Sequence, residues 1–362
     1  MVHLPSLTSL IALAAAVQVA YSPRTDLEAG RYLKALAEAE SRLASNPTEA
    51  LALAAKSQAL SSQLRFGEAG AYADRALAAN SALADAHLAR GLARAGTAVQ
   101  QRNFSSLRSA SGAMEDLRVA TSLDPSLKPA WMSLGLAYQQ LPGILGGSTR
   151  KALACADALS RVDAVKGDLL RGTILALDER WSAAEPFLLR AVAKAPADPQ
   201  VVSGFLSALG ERATRKSLGE DAQRQRLVSE AWRLLSPLRQ SGRGVEAISL
   251  ALLEGGQPEA AWKVALEALP TSDAPSLVKL QLGKVAARSG LHRLEGLAFL
   301  DQVLKEPLEG GSGGYAAAHW RRGQILKDLG RTAEARAAAQ AALALDPKDP
   351  KAKKLLEEIP GG

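Results

Sequence analysis

The side chains able to do chemistry are few and scattered. Four histidines (His3, His87, His292, His319) and one cysteine (Cys155) are the whole supply of soft metal ligands. None of the histidines sits in an H-E-x-x-H pattern, and a single cysteine makes neither a C-x-x-C pair nor an internal disulfide. A metal site has almost no ligands available, and no metal or cofactor is expected. Cys155 lies in an alanine-rich stretch, where the expected role is that of a small buried side chain. Acidic pairs such as Glu38/Glu40 and Glu357/Glu358 lie on solvated faces and do not converge from separate elements, so paired-carboxylate catalysis has no basis.

Two patterns invite a binding role. Between Leu141 and Lys151, glycines precede Ser148, Thr149 and Arg150 at a helix start. A phosphate loop needs Gly at the fifth position after Gly143, then Lys and Ser or Thr; those positions hold Ser148, Thr149 and Arg150, and no strand precedes them. The expected role is an enlarged turn with Ser148 or Thr149 capping the next helix, and its backbone N–H groups are a lesser candidate for a partner's carboxylate. From Glu211 to Arg243, eight basic residues (Arg212, Arg215, Lys216, Arg224, Arg226, Arg233, Arg239, Arg243) face four acidic ones (Glu211, Glu220, Asp221, Glu230). Such a stretch serves an acidic partner or, more ordinarily, forms a solvated helix face with i,i+4 pairs. Only Trp232 is aromatic there, so single-stranded nucleic acid finds no stacking platform and none is expected.

The elements that must position any site are helices. Aromatics are 4% of the 362 residues, alanine carries the amphipathic stretches, and no sustained period-two runs mark strands. The formal charge of +7 is modest for this length. Pro47, Pro125, Pro196, Pro307 and Pro347 each follow an Ala-rich stretch, where a proline ends a helix. Their separations fit a 34-residue unit with additions: 78 is two units plus ten, 71 two plus three, and 40 one plus six. The ten lies in a lengthened helix from Ala84 toward Ser105, and the six in the Glu309–Gly314 loop, whose glycines read as a flexible spacer. In the same register Ala35, Ala69, Ala113, Ala184 and Ala335 fall where two helices meet and only a small side chain fits. Ala76, Ala120, Ala191 and Ala342 follow seven residues later near the same face.

Trp131-Met132-Ser133-Leu134-Gly135-Leu136-Ala137-Tyr138 carries the W-x-x-L-G-x-x-Y pattern, and on it the chain resembles the tetratricopeptide repeat family from about Leu27 onward. The resemblance is specific at 126–164, 165–196 and 316–347, and weakest at 197–242. It implies an all-α fold, a right-handed α-α superhelix of eight to nine helical hairpins over 23–362, closed by a polar helix at 349–359. It further implies a concave groove lined by the first helices of the hairpins. Groove positions in that register are Leu51, Gln58, Met132, Leu136, Gln139, Leu169, Thr173, Lys284, Arg288, Trp320, Gln324 and Lys327, apolar in the middle and basic at the far end. For Met132, Leu136 and Leu169, ordinary packing between hairpins is an equal alternative.

Such a groove suits a protein or peptide segment with apolar anchors and an acidic end. Some family members clamp acidic C-termini with Lys, Arg and Asn; the asparagines here, Asn46, Asn80 and Asn103, are misplaced for that, which counts against chaperone-tail binding. The apolar run Leu10–Ala20 within 1–22 is too short for a stable membrane span and reads as a bacterial-type export signal directing the chain to the periplasm, although its n-region has no Lys or Arg. The alternatives are a first helix over Leu7–Val19 and a cytoplasmic protein. No cysteine follows the run to carry a lipid anchor. The reading is a non-enzymatic scaffold; the alternatives are a periplasmic ligand-handling accessory of a solute transporter and, less favoured, an enzyme using Asp/Glu chemistry in the groove.

Overall fold

The computed structural model describes residues 21–101, 104–213, 220–310 and 314–359. The apolar run read as an export signal, and the Leu7–Val19 helix that is its alternative, lie outside the described residues. Nineteen α-helices and no strand occur among those described, which is the expected all-α superhelical repeat fold. Helices α1 (Arg24–Glu28) and α2 (Tyr32–Ser45) lead into eight hairpins. The first four are α3 (Ala50–Ser62) with α4 (Phe66–Ala79), α5 (Ala84–Gln101) with α6 (Phe104–Leu123), α7 (Lys128–Gln140) with α8 (Thr149–Val162), and α9 (Ala164–Leu177) with α10 (Trp181–Lys194). The second four are α11 (Pro199–Ala213) with α12 (Glu220–Leu235), α13 (Gly242–Glu254) with α14 (Pro258–Ala268), α15 (Pro275–Ser289) with α16 (Arg293–Val303), and α17 (Gly314–Asp328) with α18 (Thr332–Leu345). Helix α19 (Pro350–Glu358) closes the array.

The helix ends follow local chemistry. Asn46 and Asn80 cap the C-termini of α2 and α4 in extended conformations, and Pro47 stands just beyond the first. The Asp163 carboxylate accepts from the N–H groups of Val165 and Lys166, both at 3.0 Å, and so caps α9. Asp349 does the same for α19, accepting from Lys351 at 2.8 Å and Ala352 at 3.2 Å.

Packing repeats with the sequence register. Each odd-numbered helix from α3 to α19 touches the next, forming an inner wall, and each even-numbered helix packs between its own partner and the first helix of the following hairpin. Ala35, Ala69, Ala76, Ala120, Ala184, Ala191, Ala335 and Ala342 are fully buried at the crossings. Gly135 lies so close to α8 and α9 that a Cβ there would stand 2.9 Å from Leu170 Cδ2 and 3.3 Å from Cys155 Cβ. Two hairpins put serine at the close crossing. Ser57 donates to Ala69 O at 2.7 Å and Ser249 to Ala261 O at 2.9 Å, each hydroxyl reaching the second helix of its own hairpin.

The array also meets itself. Arg243, at the start of α13, donates to Gly30 O from Nε (3.2 Å) and Nη2 (3.1 Å) and lies 4.9 Å from the Tyr32 ring centre. Glu309 accepts from Leu33 N–H at 3.1 Å, capping the start of α2 from the far end of the chain. Gln63 donates to Leu308 O at 3.2 Å, and Lys348 donates to Gln101 O. The loop expected to be a loose spacer is thus tied at its start: Gly310 (φ +96°) approaches Ser62 so closely that a Cβ would stand 2.9 Å from its carbonyl oxygen. On the near side Arg24 pairs with Asp85 at 2.6 Å and Asp124 at 2.8 Å, and Lys128 with Glu28 at 2.7 Å. The long-range contacts of Arg243, Glu309, Gln63 and Lys348 form a seam joining the leading helices to the start of α13 and to the loops that precede α17 and α19, while Arg24 and Lys128 tie α1 to the hairpins that follow it.

Candidate functional site

The inner wall is where the expected groove residues lie, and it does not treat them alike. On α3, Leu51 is half-buried and Gln58 is buried. On α7, Met132 and Leu136 are half-buried and pack against the core, and the buried Oε1 of Gln139 has no hydrogen-bond partner. On α9, Leu169 is a core residue, 2% exposed, and Thr173 spends its hydroxyl on Leu169 O at 2.9 Å. At the far end Lys327 is paired with Glu358 of α19, and Trp320 lies between two cations, the guanidinium of Arg321 at 4.8 Å and the ammonium of Lys351 at 4.9 Å from its ring centre. Gln324 is half-buried.

Lys284 on α15 and Arg321 on α17 are the chemically unusual pair. Arg321 is only 5% exposed, yet its Nε and Nη1 have no acceptor. Burial pulls its guanidinium down to about 10, with the charge of Arg288 adding to the effect and those of Glu246 and Asp349 opposing it. Burial likewise pushes Lys284 down to about 8, with Arg321 as the next cause. Arg288 lies 3.7 Å from Glu254 at a half-open edge. A cavity of about 230 Å3 adjoins this region between α11 and α13, lined by Ser203, Ser207, Glu211, Ala247, Ala251 and Glu254. The arrangement holds cations in low dielectric on a wall with solvent access at Arg288, which suits an anionic group and offers no nucleophile–base pair.

Arg321 was not among the sequence-based candidates. Arginine ordinarily reads as solvated, and its signal was its place two residues before Gly323, on the packed side of the helix.

Other candidates resolve into structure. The basic stretch from Glu211 to Arg243 pairs internally and with its neighbours: Arg226 and Arg212 meet Glu185, and Arg233 meets Glu230 at 2.6 Å. Arg215 and Lys216 lie outside the described residues. Ser148 accepts from Lys151 N–H at 3.4 Å and caps α8, so the Gly-rich turn is built for helix initiation. Cys155 is buried, which pushes its thiol up to about 12. It borders a second cavity of about 600 Å3 between α6, α7 and α8, with Trp131, Tyr138, Arg118 and Lys151 around it, on the side of the second helices. Among the described residues no cluster of His, Cys, Asp and Glu is arranged to hold a metal ion, and no helix is long and apolar enough to cross a membrane.

Comparison with known proteins agrees with this architecture. The tetratricopeptide repeat family model matches residues 316–349. The crystal structure of yeast Tom70 is similar over 96% of this chain and 90% of its own, with a TM-score of 0.51 and 11% identity. A chain of the APC/C hetero-tetramer Cut9-Hcn1 is similar over 92% of this chain with a TM-score of 0.45 and 13% identity; the present chain spans 54% of that one. Pseudomonas aeruginosa pilF is similar over 64% of this chain and 97% of its own, with a TM-score of 0.39 and 18% identity. No curated protein matches the sequence.

Proposed function

We propose that this chain, a tetratricopeptide-repeat protein, is a non-enzymatic scaffold that holds an extended or helical segment of a protein partner along its inner wall, with the segment's acidic end at α13–α17. The repeat itself supports a protein-interaction role in general. The observation that carries the finer reading is the buried Arg321, two of whose nitrogens have no acceptor, with the desolvated Lys284 at the same basic end of that wall. Half-buried Met132 and Leu136 supply adaptable apolar contact toward the middle. The ligand-handling alternative needs an enclosed apolar chamber on the wall; the cavity there is bordered by Glu211 and Glu254, which favours the partner reading. Export to the periplasm belongs to the same proposal. N-terminal sequencing of the native protein is expected to begin near Val17 or Tyr21, and an intact Met1 or Val2 on cytoplasmic protein refutes it.

The partner reading is tested by placing a photo-crosslinking residue at Gln139, Thr173 or Gln324 on the inner wall, and at exposed Val162 or Leu266 on second helices. The same partner protein is expected from the three inner positions and not from the outer two. Equal capture from both sets refutes the groove.

A further inference from the structure

We infer that the cleft of about 600 Å3 on the outer side of the array, between α6, α7 and α8, is a binding site for a small planar aromatic molecule carrying one anionic group. It lies on the side of the second helices, so it neither needs nor supplies the partner held along the inner wall.

The floor of the cleft follows from spacing. Trp131, Leu134 and Tyr138 stand at i, i+3 and i+7 of α7 and share one face of the helix. The flanking helices do not cover that stripe, because they present short side chains to it: Val119 and Ser122 from α6, Ala154 and Ala158 from α8. Two aromatic rings between short walls leave the cleft open, at a volume within the roughly 300–1,000 Å3 usual for small-molecule sites. Its shape is held without a ligand. Trp131 Nε1 donates to Pro125 O at 2.9 Å, which fixes the indole plane, and Ser148 N–H donates to Tyr138 O at 2.7 Å. The turn between α7 and α8 folds back onto α6, where a Cβ at Gly146 would stand 2.9 Å from Met114 Cε. Indole and phenol faces held in this way suit a flat ring, which stacks on either.

The rim supplies the charge preference. Arg118 pairs with Glu115 at 2.6 Å, and the two offset each other. Lys151 Nζ lies 5.4 Å from the Tyr138 ring centre and forms no ion pair among the described residues, which leaves one uncompensated cation beside the floor. The Tyr138 hydroxyl makes no hydrogen bond among the described residues, and burial holds its phenol above the usual range, so it stays a donor. An ammonium and a phenolic O–H beside aromatic faces complement an aromatic carboxylate or sulfonate and disfavour an aromatic amine.

The test uses the full chain labelled with 15N at its five tryptophan indoles, and naphthalene-2-carboxylate as probe. The Trp131 indole signal, identified by its loss in Trp131→Phe, is expected to move along a saturating curve while the other four stay in place. The neutral naphthalene-2-methanol is expected to bind about fivefold more weakly at low salt, as befits one charge at a half-open rim. Lys151→Gln is expected to abolish that difference while leaving the binding of the alcohol unchanged. Ala154→Phe and Ser122→Phe fill the cleft from exposed positions on opposite walls, so each is expected to keep the wild-type urea midpoint and lose saturation. A linear response, movement of all five indoles together, equal binding of acid and alcohol, or saturation surviving in a filled variant overturns the site. Capture of the protein partner from the inner-wall positions is expected to be the same with and without saturating naphthalene-2-carboxylate, and competition between the two overturns the separation of this site from the wall.

Discussion

The same substitution, glycine to alanine, is expected to act with opposite signs at two positions in this array. Gly70 lies inside α4 with no atom within 4 Å of where a Cβ would stand. Alanine there restricts the unfolded chain and suits the helix, so it stabilises by roughly 0.5–1 kcal/mol. Gly172 lies inside α9, where a Cβ would stand 2.6 Å from Leu188 Cγ and 3.2 Å from Ala184 O. Leu188 is only 3% exposed and its Cγ is not a free tip, so either the side chain leaves its rotamer or α9 and α10 separate. Overpacking of this kind costs about 1–3 kcal/mol, against the same intrinsic gain of up to about 1 kcal/mol, for a net loss of about 1 kcal/mol. The two variants therefore differ by about 2 kcal/mol. Urea denaturation followed by far-ultraviolet circular dichroism reads this as a midpoint above wild type for Gly70→Ala and below it for Gly172→Ala. A Gly172→Ala midpoint at or above wild type refutes the argument that the hairpin crossing has no room for a methyl group.

Ser249→Ala removes the donor to Ala261 O and the acceptor for Gln281 Nε2 (3.2 Å) at a fully buried position, so the urea midpoint should fall by the equivalent of about 1–3 kcal/mol, and an unchanged midpoint refutes the hydrogen-bond role. Lys284→Met should stabilise the free chain near neutral pH by roughly 1–3 kcal/mol. The folded lysine's value of about 8 lies below its ordinary 10.5, so its penalty is full below about pH 8 and fades as pH rises to 10.5, where wild type and variant should converge. A difference that does not shrink across that window removes burial of the charge as the cause. Gly135→Leu should cost about 1–3 kcal/mol or more in the same urea assay, because Leu170 and Cys155 fill the space, and retention of the wild-type midpoint counts against that packing.

The repeating part of this fold was legible because its determinants leave a mark in residue type. Alanine at 69, 184 and 335 and proline at 47, 196 and 347 can be read for size and for helix termination, and in the structure those alanines are fully buried. Ser57 and Ser249 escaped because a hydroxyl reads as polar. Each nevertheless stands 34 residues before a glycine at the equivalent crossing, Gly91 and Gly283, a spacing that would have found them. The candidate site was half legible. Lys284 and Arg288 were read from the sequence as groove positions, whereas Arg321 was passed over because burial of an arginine is decided by the neighbouring helices rather than by its own. Lys327 read as a groove cation, but its partner Glu358 lies on the closing helix, 31 positions away. The seam was illegible for a different reason. Several of its acceptors are carbonyl oxygens, those of Gly30, Leu308 and Gln101, which every residue possesses, and its partners are separated by 213 to 276 positions.

That seam alters how the array comes apart. In an open solenoid each unit interacts only with its neighbours, so a terminal hairpin frays at the cost of one interface and unfolding proceeds inward from the ends. Tying Gly30, Leu33 and Gln63 to Arg243, Glu309 and Leu308 gives the leading hairpins a second set of neighbours, and Lys348 does the same for the trailing edge. Loss of either end then breaks two sets of contacts instead of one. The cheapest route of partial unfolding is removed, and a linear chain of semi-independent units acquires the cooperativity of a ring.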